Sequence, residues 1–318
     1  MLAAFEDITK DYQAGLPQDS RVKWVGMHPG QICKKLISNG LEISRYLVKV
    51  LLKHFGFRKR SYTKSQSLGV AENRDAQFKK IALLKDKFLA HHLPVLSIDT
   101  KNKEPLGNYE RGEKYYGQDK RAVNDHDFLP PKVVPHGIYD VGDNHGYITL
   151  GDNKDTSEFV CDNLSWCWEK HLQWKYPEAD TILLLCDGGG SNSSRNYIVK
   201  QDLYMLANKL DMNILVAHYP AYCSKWNPIE HRLFSQIHRS WEGAIFHDIE
   251  TVKELTLETT TKTGLKVDVR INNKKYHTGR EYSTEFKDNI EKYILFDDKI
   301  PTLNYLIRPE KRKTEIKI

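Results

Sequence analysis

Three acidic side chains stand in three separate hydrophobic segments of this 318-residue sequence. Asp99 and Asp187 each end an apolar run, and Glu230 lies at the start of a helical pattern. Carboxylate oxygens are the ligands that Mg²⁺ and Mn²⁺ prefer in proteins. Two such ions can support an in-line displacement at phosphorus. The three acids therefore predict a divalent-metal site, with Asp99, Asp187 and Glu230 as both the metal ligands and the catalytic residues.

Asp99 and Asp187 also have purely structural explanations. Asp99 alternates with Lys101 and Lys103 along a predicted strand. That pattern suits a metal ligand flanked by two phosphate-binding lysines, and it equally suits an exposed salt-bridge ladder. Asp187 precedes three glycines, residues 188–190, which let a bulky ligand approach the backbone. A tight turn with a capping aspartate explains the same residues.

Glu230 fits a capping box, with Asn227 as the N-cap and Pro228 at the first helical position. His231 and Arg232 follow it as candidate DNA contacts, although both also suit an ordinary surface. The helix is expected to bury the stripe formed by Ile229, Leu233, Ile237 and Trp241. Glu230 then lies beside the buried face.

Alternating patterns predict an α/β body with a mixed sheet and flanking helices. Strands are expected at about 94–103, 133–141, 145–151, 181–187 and 213–219, and helices near 155–175, 195–210 and 227–241. Three strands followed by alternating helices and strands is the order of a ribonuclease-H-like fold, in which acids on the first and fourth strands meet a helical acid. Residues 105–131 are expected to form a long excursion after the first strand.

The positive charge is concentrated near the N-terminus. Residues 1–66 hold twelve Lys/Arg and five Asp/Glu, although the whole chain carries only +6. Two short helices are expected there, over 29–40 with Ile32, Leu36 and Ile37 inward, and after the N-cap Ser44 with Leu47, Val50, Leu51 and Phe55 inward.

Such a pair of helices indicates a helix-turn-helix DNA-binding domain, with a helical hairpin packed on the main domain as the alternative. Its candidate DNA contacts are Ser44, Arg45, Tyr46, Lys49, Lys53, Arg58, Lys59, Arg60 and Lys64. A connecting helix over 71–92 is expected to bury Phe78, Ile81, Leu83, Leu84 and Phe88.

Other protein classes are disfavoured by composition. Five cysteines without a C-x-x-C pair argue against a disulfide framework or a cysteine zinc site. The apolar runs are shorter than the ~20 residues of a membrane span, and the N-terminus lacks the pattern of a signal peptide. We therefore expect a cytoplasmic protein.

Several long motifs closely resemble the DDE transposases of the ISAzo-type insertion sequences, also called the Rhodopirellula transposase family. The similarity extends from about residue 22 to 309. The motifs that carry it are Arg74–Phe78, Leu96–Glu104, His126–Phe128, Gly137–Asp140, Asp155–Phe159, Asp187–Asn192, Ser224–Phe234, Thr259–Leu265 and Asn304-Tyr305.

The resemblance implies a ribonuclease-H-like catalytic domain whose acidic triad is Asp99, Asp187 and Glu230. It implies cleavage of DNA at the element ends and joining of the 3′-hydroxyl ends to target DNA, with two Mg²⁺ or Mn²⁺ ions. The implied partners are the terminal inverted repeats, the target DNA and further copies of the chain in a synaptic complex. When bound to DNA, the protein would be associated with the nucleoid.

The expected domains are a helix-turn-helix domain (1–66), a connecting helix (67–92), the catalytic domain (93–309) and a basic tail (310–318). The sequence is expected to begin inside the family's N-terminal region, so that little precedes the helix-turn-helix. Two alternatives stay open at this point. One is a catalytically inactive or domesticated DNA-binding protein, and the other is a nuclease that does not transpose.

Overall fold

A computed structural model describes residues 1–16, 19–60, 73–111, 121–124, 130–152, 154–189 and 192–311. The chain forms two compact units, Met1–Gly69 and Val70–Ile318. Lys64, most of the predicted excursion and residues 312–318 of the predicted tail lie outside the described residues.

The first unit is built from three helices and a β-hairpin. Its core joins Phe5 to one face of each of the two predicted helices. Its elements are α1 (Leu2–Lys10), β1 (Gln13–Leu16), β2 (Asp19–Val25), α2 (Pro29–Ser38) and α3 (Arg45–His54). The sequence patterns predicted α2 and α3, but they missed α1 and the hairpin.

The inward faces of α2 and α3 differ in part from those predicted. Ile37 and Val50 are exposed, and Cys33 and Val48 are buried instead. Fully buried Phe5 of α1 belongs to the same core cluster as Cys33 and Val48, so the buried faces form a core that includes a helix the sequence patterns missed. The predicted N-cap of α3 is confirmed: the side-chain oxygen of Ser44 accepts a hydrogen bond from the backbone N–H of Leu47 at 3.2 Å.

The second unit contains a nine-stranded mixed sheet, ordered β10-β11-β8-β7-β3-β5-β6-β9, with β4 paired to β5. Strands β3, β7 and β8 run parallel, whereas β5 is antiparallel to both β3 and β6. The strands are β3 (Val95–Thr100), β4 (Glu104–Pro105), β5 (Lys132–Asp140), β6 (His145–Gly151), β7 (Thr181–Cys186), β8 (Asn213–His218), β9 (Lys266–Asn272), β10 (Ile294–Phe296) and β11 (Asn304–Ile307).

All five predicted strands are present, and the mixed α/β fold is confirmed. Strand β3 ends at Thr100, so Lys103 lies beyond it and the predicted alternation of Asp99, Lys101 and Lys103 along one strand is wrong. Strand β9 pairs with β6 at one edge of the sheet. Strands β10 and β11 extend the other edge and were not predicted.

Helices cover both faces of the sheet. Helices α5 and α7 pack on one face of the sheet, and α4 and the helix containing Glu230 pack on the opposite face. Successive side chains of each strand point alternately to these two faces. The helices are α4 (Arg74–Ala90), α5 (Ser157–Cys167), α6 (Gln173–Lys175), α7 (Tyr197–Leu210), α8 (Ser235–Ser240), α9 (Ile249–Leu257), α10 (Thr284–Asp288) and α11 (Ile290–Tyr293). Across the described ranges, the helices are too short or too polar to cross a membrane.

Helix α4, the predicted connection, packs directly on the sheet. Ile81, Leu84 and Phe88 contact the apolar side chains of β3, β7 and β8. Leu83, predicted to be inward, is exposed. Buried Gln77 takes part in the interface instead, because its amide nitrogen donates to the backbone oxygen of His218 at 2.8 Å.

Two glycines bring the Glu230 helix close to the sheet. This helix comprises residues 228–240, with a π-helical turn at Glu230–Phe234 that leads into α8. A Cβ atom at Gly137 would lie 2.6 Å from a ring carbon of Phe234, and one at Gly146 would clash with the isopropyl group of Leu233. Only glycine at these two positions leaves room for the helix.

Replacing Gly146 with alanine should therefore destabilise the second unit. Leu233 is fully buried, so the added methyl group must displace it, and we expect the free energy of unfolding to fall by about 1–3 kcal/mol. Urea denaturation would measure the loss. Gly188→Ala is the matched control, because a Cβ atom there has only ordinary contacts. Equal stability of the two variants would contradict the close-packing argument.

Candidate active site

The register of two parallel strands places Asp99 beside Asp187. Val95 of β3 is aligned with Leu183 of β7, and Ser97 is aligned with Leu185. Asp99 follows two residues after Ser97 within β3, and Asp187 follows two residues after Leu185, directly beyond the end of β7, so the two acids lie near each other on the same face of the sheet. The carboxyl end of parallel strands is where α/β sheets usually bind ligands.

Glu230 is brought to the same edge by hydrogen bonds between its helix and β3. The Ser97 hydroxyl donates to Asn227 Oδ1 at 2.5 Å and accepts from the backbone N–H of Ile229 at 2.9 Å. Asn227 Nδ2 donates to the backbone oxygen of Ile98 at 3.0 Å. All three of Ser97, Asn227 and Ile229 are buried, so the start of the helix is fixed directly beside the strand that ends in Asp99.

These contacts correct the predicted capping box. The side-chain oxygen of Asn227 accepts from Ser97, and the Glu230 N–H donates to the backbone oxygen of Asn227 at 3.1 Å. The helix is instead capped from another strand, because Ser97 accepts the N–H of Ile229. The predicted buried stripe is confirmed, since Ile229, Leu233, Ile237 and Trp241 are all fully buried.

The π-helical turn begins at Glu230 itself. Single π turns of this kind are rare and occur frequently at functional sites. The wider turn begins on the acid that the sequence singled out.

The three acids interact electrostatically. Burial raises the pKa of Asp99 to about 8, with a further contribution from the nearby charge of Asp187. The Glu230 carboxyl adds to the increase, both as a like charge and as a hydrogen-bonding partner of Asp99. Burial, followed by the charge of Asp155, raises the pKa of Asp187. Like charges held this close favour a bound proton or a bound cation.

Asp155 and Ser97 were not predicted as site residues. Asp155 accepts a hydrogen bond at 3.1 Å from Thr100 Oγ1, next to Asp99, and therefore lies at the rim of the same cluster. Ser97 had a detectable signal, because it is a polar residue in an apolar strand and shares a face with Asp99. Asp155 precedes a helix whose N-cap is Thr156, and its sequence position alone gave no such signal.

His218 was also missed, and it holds the backbone of Asp187. Its Nδ1 lies 2.9 Å from the Asp187 carbonyl oxygen and its Nε2 lies 3.0 Å from the Tyr305 hydroxyl. Complete burial lowers the pKa of His218 to about 4, so the ring is neutral at physiological pH. Nδ1–H then donates to the carbonyl, and Nε2 accepts from Tyr305.

The donor set suits a hard divalent cation, because it consists of carboxylate oxygens. As the side chains stand in the described ranges, no three His, Cys, Asp or Glu residues are gathered as a ready-made metal site. Asp99 nevertheless interacts with both Asp187 and Glu230, and it is desolvated. These residues fit a divalent cation by their chemistry.

The predicted phosphate-binding lysines differ in their surroundings. Lys101 Nζ lies 2.8 Å from Glu104 Oε1 and 4.6 Å from the ring centre of Trp241, so it takes part in an internal ion pair. Lys103 is exposed. His231 and Arg232 are also exposed, on the Glu230 helix.

The predicted DNA contacts of the first unit lie on α3 and on either side of it. Those on α3 and after it are exposed, and Tyr46 is among the most exposed aromatic side chains described. They are Ser44, Arg45, Tyr46, Lys49, Lys53, Arg58, Lys59 and Arg60. Ser44 also caps α3, whereas Lys64 is outside the described residues.

Among solved structures, the chain is similar to several complexes of Mos1 transposase. The Mos1 paired-end complex with the left transposon end is 15% identical, with 80% of this chain and 69% of that chain covered and a TM-score of 0.44. The mariner Mos1 paired-end complex with Mg is 19% identical over 80% and 68% of the two chains, with a TM-score of 0.46. The catalytic domain of Mos1 mariner transposase is 13% identical over 60% and 82%, with a TM-score of 0.39.

No curated protein matches this sequence. The family described as "Rhodopirellula transposase DDE domain" matches residues 4–309, which is nearly the whole chain. The resemblance found in the sequence motifs is therefore confirmed, and the chain belongs to the Rhodopirellula transposase DDE-domain family.

Proposed function

We propose that this protein is the DNA transposase of a bacterial insertion sequence, which cuts the element ends and joins them to target DNA. One observation carries the proposal. Asp99 is the next-to-last residue of β3, Asp187 directly follows the adjacent parallel strand β7, and the helix of Glu230 is hydrogen-bonded to the strand that carries Asp99. Family membership supplies the reaction class.

A ribonuclease-H-like assignment of the catalytic unit is part of the proposal. The central strands lie in the order β6-β5-β3-β7-β8, so the first and fourth strands along the chain, β3 and β7, are neighbours. This order is supported by the three antiparallel strands that precede the parallel pair. It explains why acids far apart in the sequence meet.

In the proposed mechanism, Asp99, Asp187 and Glu230 hold two Mg²⁺ or Mn²⁺ ions. Such ions, when bound, supply charge stabilisation for the attacking and leaving oxygens of a phosphodiester. Ser97 and Asn227 position Glu230, and His218 fixes the backbone of Asp187. Preorganised side chains of this kind avoid reorganisation during the reaction.

Two displacements at phosphorus account for the reaction. In the first, a water oxygen bonds to phosphorus at an element end and gives up a proton, the bond to the 3′ oxygen breaks, and that oxygen takes up a proton to become a free hydroxyl. In the second, this 3′-hydroxyl oxygen bonds to a target phosphorus while the target's own 3′ oxygen leaves. One phosphodiester is broken for each one formed in the second step, so no external energy source is required.

We further propose that the first unit binds the terminal repeats as a helix-turn-helix domain, with α3 in contact with DNA. The support is the exposed set of basic and aromatic residues on α3 and the excess positive charge of residues 1–66. Several copies of the chain would pair two ends in one complex. A helical unit without DNA contacts is the alternative.

Two rival functions remain separable by experiment. A catalytically inactive relative would bind DNA but would not cut it. A nuclease without transposition would cut DNA but give no strand-joining products. The intact triad favours catalysis over the first rival.

Asp187→Asn should abolish DNA cleavage and leave folding intact. The amide keeps the shape of the side chain but removes a charged ligand, and the loss of several kcal/mol of charge stabilisation implies a decrease of at least about a hundredfold. The assay follows nicking and joining of a plasmid that carries the gene with its flanking DNA, in Mg²⁺. Exposed Asp298→Asn is the matched control. Undiminished strand transfer by Asp187→Asn would exclude the assignment.

Mg²⁺ should raise the melting temperature of the wild-type protein by a few degrees, because a ligand that binds only the folded state stabilises it, by about 2.7 kcal/mol at a hundred times its Kd. In EDTA at pH 8, Asp99→Asn should melt higher than wild type, since a buried carboxylate beside two others is removed. It should then gain little from Mg²⁺. Asp298→Asn should keep the full Mg²⁺ response, and an equal response of Asp99→Asn would argue against the site.

Replacing all three of Arg45, Lys49 and Lys53 with glutamine should weaken DNA binding and reduce its dependence on salt concentration. Each phosphate contact contributes a slope of about 0.9 in a plot of log K against log salt concentration. The triple variant should therefore lose about 2–3 of that slope if all three residues contact phosphate. The control removes three exposed charges from the second unit, Lys170, Lys262 and Lys266. Equal slopes for the two variants would show that the first unit has a structural role.

A further inference from the structure

The loop between β8 and the Glu230 helix has an exposed aromatic crest. Its ends, Tyr219 and Asn227, are buried. Between them, Tyr222 is 86% exposed and Trp226 is 53% exposed. Tyr222 is the most exposed of the large apolar and aromatic side chains that the structure describes. Two aromatic rings facing solvent within five residues need an explanation other than core packing.

Tyr222 is also held in an unfavourable backbone conformation. Its φ angle is +62°, in the left-handed region that bulky side chains rarely adopt. Neighbouring contacts enforce this conformation, because the N–H of buried Cys223 donates to the backbone oxygen of Pro220 at 3.1 Å. Strain that persists in a folded protein often marks a functional position. The strain here presents the ring to solvent.

Both ends of the loop are attached beside the acids. The N–H of Tyr219 donates at 2.8 Å to the backbone oxygen of Cys186, the residue before Asp187. Asn227 is bonded to Ile98, the residue before Asp99. The loop that carries the aromatic crest is therefore anchored at both ends beside the carboxylate cluster.

Lys225 gives the crest a positive charge. Its Nζ lies 5.3 Å from the ring centre of Trp226, and its side chain is exposed. The inner edge of the Trp226 ring packs against Phe78, with ring centres 6.2 Å apart. The Trp226 ring is thus supported by Phe78, the Tyr222 ring is almost fully exposed, and the Lys225 ammonium lies beside Trp226. Stacking surfaces with adjacent cations are typical of sites for unpaired nucleic-acid bases.

We propose that Tyr222 and Trp226 form a stacking platform for an unpaired DNA base next to the phosphate that is cut, with Lys225 at the neighbouring phosphate. The inference rests on the proposed function, since it adds a base-binding subsite to the same active site. A base taken out of the duplex would let the adjacent phosphate reach down to the acids at the sheet edge. The platform selects DNA that is opened at the cleavage position.

The test compares the affinity of the full-length protein for two short fluorescent duplexes in EDTA. One duplex is fully paired, and the other has the same sequence with a single unpaired thymine. Wild type should prefer the second. In Tyr222→Gly, the ratio of the two affinities should fall by about 5- to 150-fold. This decrease corresponds to the free energy of stacking one base on an aromatic ring. The affinity of Tyr222→Gly for the paired duplex should be unchanged, and Tyr222→Phe should behave like wild type.

Stability measurements separate a binding role from a structural one. Glycine tolerates a positive φ, so Tyr222→Gly should melt at the wild-type temperature or higher. A lower melting temperature, an unchanged base preference in this variant, or no preference in wild type would each overturn the proposal. Trp174→Ala removes a 78% exposed ring elsewhere and should have no effect.

Because this assay requires no catalysis, its failure is distinguishable from failure of the proposed function. Asp187→Asn should keep the preference for the unpaired base while losing cleavage. Metal-dependent cleavage by a wild-type protein that shows no base preference would refute the platform alone.

Discussion

The arrangement of the second unit depends on how closely one helix can approach one strand. Ser97 bonds to both Asn227 and Ile229, and these short contacts are possible only because Gly137 and Gly146 have no side chains under the helix. A larger residue at either glycine would lift the helix and move Glu230 away from Asp99. The positions of the three carboxylates therefore depend more on the close packing of the main chain and small residues beneath them than on the acids themselves.

That packing opposes a substantial electrostatic cost. Asp99 is partly desolvated and faces Asp187 and Glu230, so its pKa is raised to about 8. Three carboxylates without a counter-charge would move apart if their supports were flexible. Each backbone is anchored at a buried hydrogen bond instead, through Ser97 for the helix and His218 for the exit of β7. Rigid support of a repulsive cluster is what a site for a doubly charged cation requires.

Much of the fold could be predicted from the sequence, because its signals are local. The apolar runs gave the five central strands, and the spacing of Ile229, Leu233 and Ile237 gave the buried face of the Glu230 helix. Long-range contacts were not accessible. The role of Asn227 looked like a local cap, but a hydroxyl from a distant strand supplies that bond. Likewise, Phe5 of α1 shares the core of α2 and α3, and nothing in the sequence of those two helices indicates its presence.

The bond from Tyr305 to His218 has a consequence for the order in which the protein is made. Strand β11 contains Tyr305 and Asn304, which contact His218 and Gln77 respectively, and it pairs with β8 inside the sheet. A ribosome releases this strand well after Asp187 and His218 have emerged, because Tyr305 lies 87 residues beyond His218. Until β11 has emerged, His218 lacks its hydrogen bond with Tyr305, and the hydrogen-bonded chain that fixes the Asp187 carbonyl is incomplete. A nascent polypeptide therefore carries all three acids well before it can hold them in register, so site assembly is delayed until β11 has emerged and paired with β8.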